Sequence, residues 1–208
     1  MNTPNLRTLT TTGGVCGIIG TIFYILAVAV PMPERIAYLL AVMWPVLSIV
    51  FAYSLYRVIA SNGDGMMNQL ALLFAIVGFA MVAMMISVQL AVRMGIAEYM
   101  GGTIPGEENL HGIIRQALRL VDMGIDVAWD IFIGSSLVCL SVALVSHPRF
   151  GRAWGIPSAL FGAGLIGLNV VTFPWPPNTR GLFDLGPFIG LFIILLSTRM
   201  LLLRDTDR

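Results

Sequence analysis

Leu70 to Val92, LALLFAIVGFAMVAMMISVQLAV, runs without one charged side chain. A hydrocarbon core of about 30 Å is crossed by roughly 20 apolar residues in α-helix, so this stretch alone is long enough to span a bilayer. Five more apolar runs accompany it: Val15 to Val30, Ile36 to Ile59, Val127 to Val145, Ile156 to Phe173 and Pro187 to Leu203, with one charged residue each in the second, third and fifth of these, Arg57, Asp130 and Arg199. A mean hydropathy of +0.87, with 57% hydrophobic and 11% charged residues, leaves no room for a separate soluble domain. The expectation is an all-α, multi-pass membrane protein with the lipid bilayer as its first partner. Residues 1–208 form one domain of six transmembrane helices.

Orientation is read from arginine placement near short loops, because cytoplasmic flanks carry the excess. With both termini inside, seven arginines face the cytoplasm: Arg7, Arg57, Arg149, Arg152, Arg199, Arg204 and Arg208. The five on the other side are Arg35, Arg93, Arg115, Arg119 and Arg180, accompanied by Glu34, Glu98, Glu107, Glu108 and Asp184. A bacterial cytoplasmic membrane with both termini in the cytoplasm follows as the expected location. A competing reading makes the first run a signal peptide, with Arg7 before it and Ala27-Val28-Ala29 as a small-residue cleavage site. The short link Pro31 to Arg35 instead suits a tight hairpin between two membrane helices.

The third connection, Met94 to about Asp126, is the long one. Gly101-Gly102 and Pro105-Gly106 break the preceding helix, and Glu107 and Glu108 suit a first helical turn. An amphipathic outer segment of about 107–120 then either continues into the fourth membrane helix or meets it at a bend. The fifth connection, Phe173 to Gly181, is rich in proline and aromatic residues and suits the membrane interface. Asp184 offers an N-cap to the last helix, with Pro187 in its first turn. Gly13, Gly17 and Gly20, and Gly162, Gly164 and Gly167, are read as places of close helix packing. The likeness of Gly17-Ile18-Ile19-Gly20 to Gly164-Leu165-Ile166-Gly167 leaves an inverted repeat as an alternative.

One polar stripe enters the fourth apolar run: His111, Arg115, Arg119, Asp122, Asp126 and Asp130. Steps of three and four place all six on one helix face. Counting back from His147 puts Asp126 at the outer interface and Asp130 roughly 6 Å inside it. An ionised aspartate at a helix centre costs about 2.5–3.5 kcal/mol on insertion scales, so Asp130 requires a partner, a proton or water. Residues expected at the same depth are Arg93 and Gln89 on the third helix, and Asn169 and Thr172 on the fifth. Two readings stand side by side. In one, Asp126, Asp130, Arg93 and Asn169 line an outward-facing binding or coupling pocket beneath the Trp175 loop. In the other, Asp130 and Arg93 clamp helices three and four. Arg115, Arg119 and Asp122 are read as structural ion-pair candidates.

Several chemistries lack their residues. A net charge of +1 and the absence of a basic cluster argue against nucleic acid as a partner. Every basic residue is arginine, which removes lysine Schiff-base chemistry. His111 and His147 fall at opposite membrane faces, and Cys16 and Cys139 have no metal spacing, so neither a metal nor a cofactor is expected. Both cysteines are read as reduced, buried thiols. Gly134-Ser135-Ser136 lacks the second glycine of the rhomboid-protease motif, and Gly124-Ile125-Asp126 is not the Gly-x-Gly-Asp of intramembrane aspartyl proteases. Met81, Met84 and Met85 read as packing residues, and the four tryptophans as anchors and packing groups.

The glycine-rich first helix, Gly13 to Val30, carries a resemblance to known chains. So do Trp129-Asp130, His147-Pro148-Arg149-Phe150-Gly151-Arg152, Thr172-Phe173-Pro174 and Gly181-Leu182-Phe183-Asp184-Leu185-Gly186-Pro187. In these stretches the chain resembles the uncharacterised bacterial multi-helix integral membrane proteins known as domains of unknown function. That resemblance implies a six-helix membrane protein and transfers no catalytic residue.

Two functional classes follow, with an enzyme the least favoured. The first is a noncatalytic membrane scaffold or sensor, whose 101–120 segment and 173–181 loop contact a protein partner. The alternative is a small-molecule or ion permease, or a permease subunit, with a proton- or cation-coupling aspartate in an outward-facing polar pocket. Its candidate residues are Asp130, Asp126, Arg93, Gln89, Asn169, Thr172 and Trp175.

Overall fold

The computed structural model describes residues 5–99 and 108–203, the side chains of 96–99 and 108–111 excepted. The breaks expected at 101–106, and the side chains of Glu98, Glu107, Glu108 and His111, lie outside the described residues. Six α-helices account for the fold: α1 (Leu6–Ala29), α2 (Glu34–Ala60), α3 (Met66–Tyr99), α4 (Glu108–Val145), α5 (Arg152–Thr172) and α6 (Gly186–Leu203). A 3-10 turn, Pro177–Arg180, precedes α6, and no strand occurs among the described residues. All six helices are long and apolar enough to cross a membrane, and the all-α class is as the composition requires.

Each helix packs antiparallel on its neighbour in chain order, and α1 also packs on α6, so the six form a ring. Single polar contacts stitch consecutive walls. Asn68 Nδ2 on α3 donates to Tyr56 O on α2 at 3.1 Å, and Ser136 Oγ on α4 donates to Ala71 O on α3 at 2.7 Å. Ser158 Oγ on α5 donates to Leu137 O on α4 at 2.8 Å. In an apolar interior these bonds fix register where hydrophobic contact alone allows slippage. The gap between α5 and α6 is the widest between ring neighbours, and side chains span it: the Phe192 ring lies 6.3 Å from Trp154 and 5.4 Å from Phe161.

Glycine sets the closest approaches. A Cβ at Gly162 would meet Gly134 O at 2.6 Å and Val138 N at 2.9 Å, so α4 and α5 touch backbone to backbone there. Gly13 and Gly20 face α2, while Gly14 faces Ser197 O of α6, and Gly17 meets both Ser197 and Phe51. A helix held between two neighbours needs small residues on both faces, which explains why Thr10, Gly13 and Gly14 extend α1 well ahead of its apolar run. Gly167 departs from expectation. Nothing lies within 4 Å of a Cβ built on it, so it packs against no neighbour, and Gly164 approaches only Leu185 Cδ1.

The long α4 settles the choice left open at its start. Its 38 residues run unbroken from Glu108, so the amphipathic segment continues into the membrane helix without a bend. At 1.5 Å per residue it measures about 57 Å, and the 34-residue α3 about 51 Å, both well beyond a core of about 30 Å. The surplus lies at one end. Residues 112–121 of α4 are exposed except Leu118, including Ile113 at 65% and Val121 at 55%.

At the end shared by Leu6 and Leu203, His147 fastens the α4–α5 corner to the α2–α3 turn. The Asn62 amide lies 2.7 Å from His147 Nε2, and the Arg149 N–H donates to Nδ1 at 3.2 Å. The atom placed there is Asn62 Nδ2; with Nδ1 accepting, the neutral ring carries its proton on Nε2, which Asn62 can meet only with its amide turned over to present the oxygen. Burial, and then the neighbouring Arg149 charge, hold this imidazole below its usual range of about 6.5, against a smaller opposing pull from the Val58 carbonyl. The unfolded chain therefore binds the proton more readily than the folded one. Stability from His147 is whole above about 6.5 and declines as pH falls through that value towards the folded one. A detergent melting series from pH 7.5 to 5.5 should fall with acid, and His147→Gln should flatten the slope; equal slopes would remove the latch.

Candidate functional site

Asp122, Asp126 and Asp130 descend one face of α4 a turn at a time, and their burial deepens in that order. Each carboxylate takes a different donor. Gln89 Nε2 on α3 donates to Asp122 Oδ2 at 3.1 Å, and Trp129 Nε1 donates to Asp126 Oδ1 at 2.8 Å within α4. Asn169 Nδ2 on α5 donates to Asp130 Oδ2 at 2.7 Å and to Leu165 O at 2.9 Å. The two acceptors facing the Asn169 amide orient its NH2 group and leave no ambiguity about its rotation. Asp130 is 7% exposed and Asn169 is fully buried, so this bond joins α4 to α5 in the interior. Asp130 Oδ1 has no hydrogen-bond partner among the described residues.

Asp130 also contributes to the lining of a cavity. A space of about 490 Å³ opens at the end of the ring where α1 and α3 finish and α6 begins. Asp126 and Asp130 form one wall, and Asp184 with Asn178 sits on the connection leading into α6. Apart from Thr21, the remaining side-chain surface is mostly apolar or aromatic, from Tyr24, Ile25 and Val28 of α1, Trp44 of α2, Val82 and Met85 of α3, and Leu191 and Ile194 of α6. Below it Phe51, Leu55, Phe79, Ile133, Phe192 and Leu196 line a second, much smaller cavity of about 50 Å³ within the apolar core of the ring. The Trp44 and Phe79 rings meet edge to face at 6.4 Å between the cavity and this apolar core.

The structure divides the residues expected at the site. Asp126 and Asp130 line the cavity, and Asn169 supports Asp130 from behind. Arg93 is exposed on α3 and absent from the lining, and it forms no ion pair with Asp130. The expected α3–α4 clamp through Arg93 is therefore replaced by an α4–α5 bond through Asn169. An amide can be buried whole, whereas a guanidinium lacking full hydrogen bonding is costly to bury. Gln89 serves Asp122, outside the cavity, and Thr172 Oγ1 donates to Leu168 O in its own helix at 2.9 Å. Trp175 faces away and stacks with Arg180, whose guanidinium carbon lies 5.5 Å from the ring centroid. Its neighbours Pro176, Pro177 and Asn178 roof the cavity in its place. Arg115 and Arg119 are exposed and form no ion pair with Asp122 among the described residues.

Tyr24, Trp44, Asn178 and Asp184 are cavity residues that local patterns did not single out. Asp184 carried the only prior signal, as an N-cap. Its Oδ1 accepts from Gly186 N–H at 2.8 Å at the start of α6, and the residue lines the cavity.

A ring of six apolar helices around a carboxylate-bearing cavity fits an integral, multi-pass membrane protein. No protein family, curated protein or solved structure matches the chain.

Proposed function

We propose that this chain is a small-molecule or ion permease, or a subunit of one, in which Asp130 carries the exchanged proton or binds the transported cation. One observation carries the reading: a 7% exposed aspartate, held by a hydrogen bond from Asn169, in the lining of a cavity of about 490 Å³. A cavity of this size falls within the range of small-molecule sites. The arginine split supports a bacterial cytoplasmic membrane, both termini inside and the cavity opening outward.

Two measurements test this. Purified protein in liposomes holding a pH-sensitive dye is given inward gradients of sodium, potassium or benzyltrimethylammonium. At least one should drive dye-reported proton movement that Asp130→Asn abolishes, and signals equal to protein-free liposomes throughout would reject the permease. In a Cys16→Ala, Cys139→Ala background, Gly65→Cys should react with an impermeant thiol reagent only from the cytoplasm, and Asn178→Cys only from outside. The reverse pattern would invert the orientation.

A second reading, a noncatalytic scaffold or sensor, is favoured by the outer arm of α4. There Ile113, Ile114, Leu120 and Val121 are exposed beside Arg115 and Arg119. Truncating this arm would remove partner contact on that reading and leave flux intact on the first.

A further inference from the structure

We infer that the cavity takes a monovalent organic ammonium ion bearing an apolar, ring-sized group, an inference that names the ligand class of the permease site proposed above. Charge selects first. Asp126, Asp130 and Asp184 all line the cavity, and no arginine among the described residues does. Arg180, the nearest arginine in the roof segment, is engaged on Trp175 instead. Each of the three carboxylates already has one oxygen accepting a hydrogen bond, from Trp129, Asn169 and Gly186 respectively. Asp130 is the most buried of the three, and its Oδ1 has no hydrogen-bond partner among the described residues. An anion would face three carboxyl groups with no cationic side chain beside them among the described residues, whereas an ammonium group can donate to or pair with them.

Wall chemistry then separates an organic from an inorganic cation. A bare metal cation needs a close shell of about six oxygens, whereas most of this lining is hydrocarbon and aromatic. At about 490 Å³ the space exceeds the roughly 30 Å³ share of one water many times over, so it suits a ligand with a substantial apolar body. Tyr24 and Trp44 stack with centroids 4.3 Å apart on the wall facing α6, and Trp129 lies beside Asp126. Aromatic faces near carboxylates attract alkylated ammonium groups, which shed water at less cost than metal ions.

The test is calorimetric titration of the full chain in lipid nanodiscs with four probes: benzyltrimethylammonium, tetramethylammonium, benzyl alcohol and benzoate. Benzyltrimethylammonium should bind at least tenfold more tightly than each of the others. Asp130→Asn should weaken it at least tenfold at an unchanged melting temperature. Gly190→Phe should do the same by filling the space, since a Cβ there meets only Thr21 Cγ2 at 3.5 Å. If Gly190→Phe unfolds, Val28→Trp at a 71% exposed lining position replaces it. Equal affinity for benzyl alcohol or benzoate, or benzyltrimethylammonium binding indifferent to both Asp130→Asn and the filled cavity, would overturn the inference. Binding without flux would leave this ligand class standing and reject the permease. Sodium-driven proton movement with no organic cation bound would do the opposite.

Discussion

Gly162→Ala should lower the melting temperature in detergent by about 5–10 °C, and Gly162→Leu should yield no folded monomer on gel filtration. Overpacking a close contact costs about 1–3 kcal/mol or more, and each kcal/mol moves a chain of this size by about 2–4 °C. The effect is large because the atoms that a Cβ would strike, Gly134 O and Val138 N, belong to the backbone of α4 and cannot rotate away. Two controls make the claim specific. Gly167→Ala, with nothing within 4 Å, should leave the melting temperature unchanged or raise it slightly through helix propensity. Gly17→Ala should destabilise and be partly rescued by Ser197→Ala, because the nearest obstructing atom is the Ser197 hydroxyl, a removable group without a hydrogen-bond partner among the described residues, while the Phe51 ring at 3.0 Å remains. A Gly162→Ala protein that melts with the wild type would show that α4 and α5 are not in backbone contact.

The second large effect is at Asp130. Asn169→Leu should destabilise the protein strongly, because it removes the donor from a buried carboxylate and replaces a bonded amide by a chain that cannot answer it. Asp130→Asn should fold nearly as well as the wild type, since the new amide oxygen can still accept from Asn169, and should lose cation-linked proton movement. In a double-mutant cycle, Asp130→Asn and Asn169→Leu should couple by about 0.5–3 kcal/mol, whereas Asp130→Asn and Arg93→Gln should add within about 0.5 kcal/mol. Strong coupling to Arg93 would restore the α3–α4 clamp and remove the carboxylate from transport.

The contrast between Arg93 and Asn169 shows how far residue patterns reach. Depth along a helix follows from counting residues, so Arg93, Gln89, Asn169 and Thr172 were all legible as neighbours of Asp130 in height. Azimuth was not. The choice among them depends on how α3 and α5 rotate about their own axes, and that is set by contacts such as Ser136 to Ala71 and Gly162 to Gly134 between residues far apart in the chain. The same limit hid Tyr24 and Trp44, whose helices reach the cavity only because α1 closes the ring between α2 and α6.

By itself the sequence determined six apolar helices, the small-residue character of α1, and a carboxylate stripe ending on Asp130, because hydrophobic length and helical period are local properties of a chain. The tertiary structure alone decided that α4 runs unbroken from Glu108, that Gly162 rather than Gly167 carries the α4–α5 contact, and that Asp184 faces the same space as Asp126 and Asp130. Those outcomes depend on ring closure and helix rotation, which are fixed by the sum of packing between distant segments and leave no signature in any one of them.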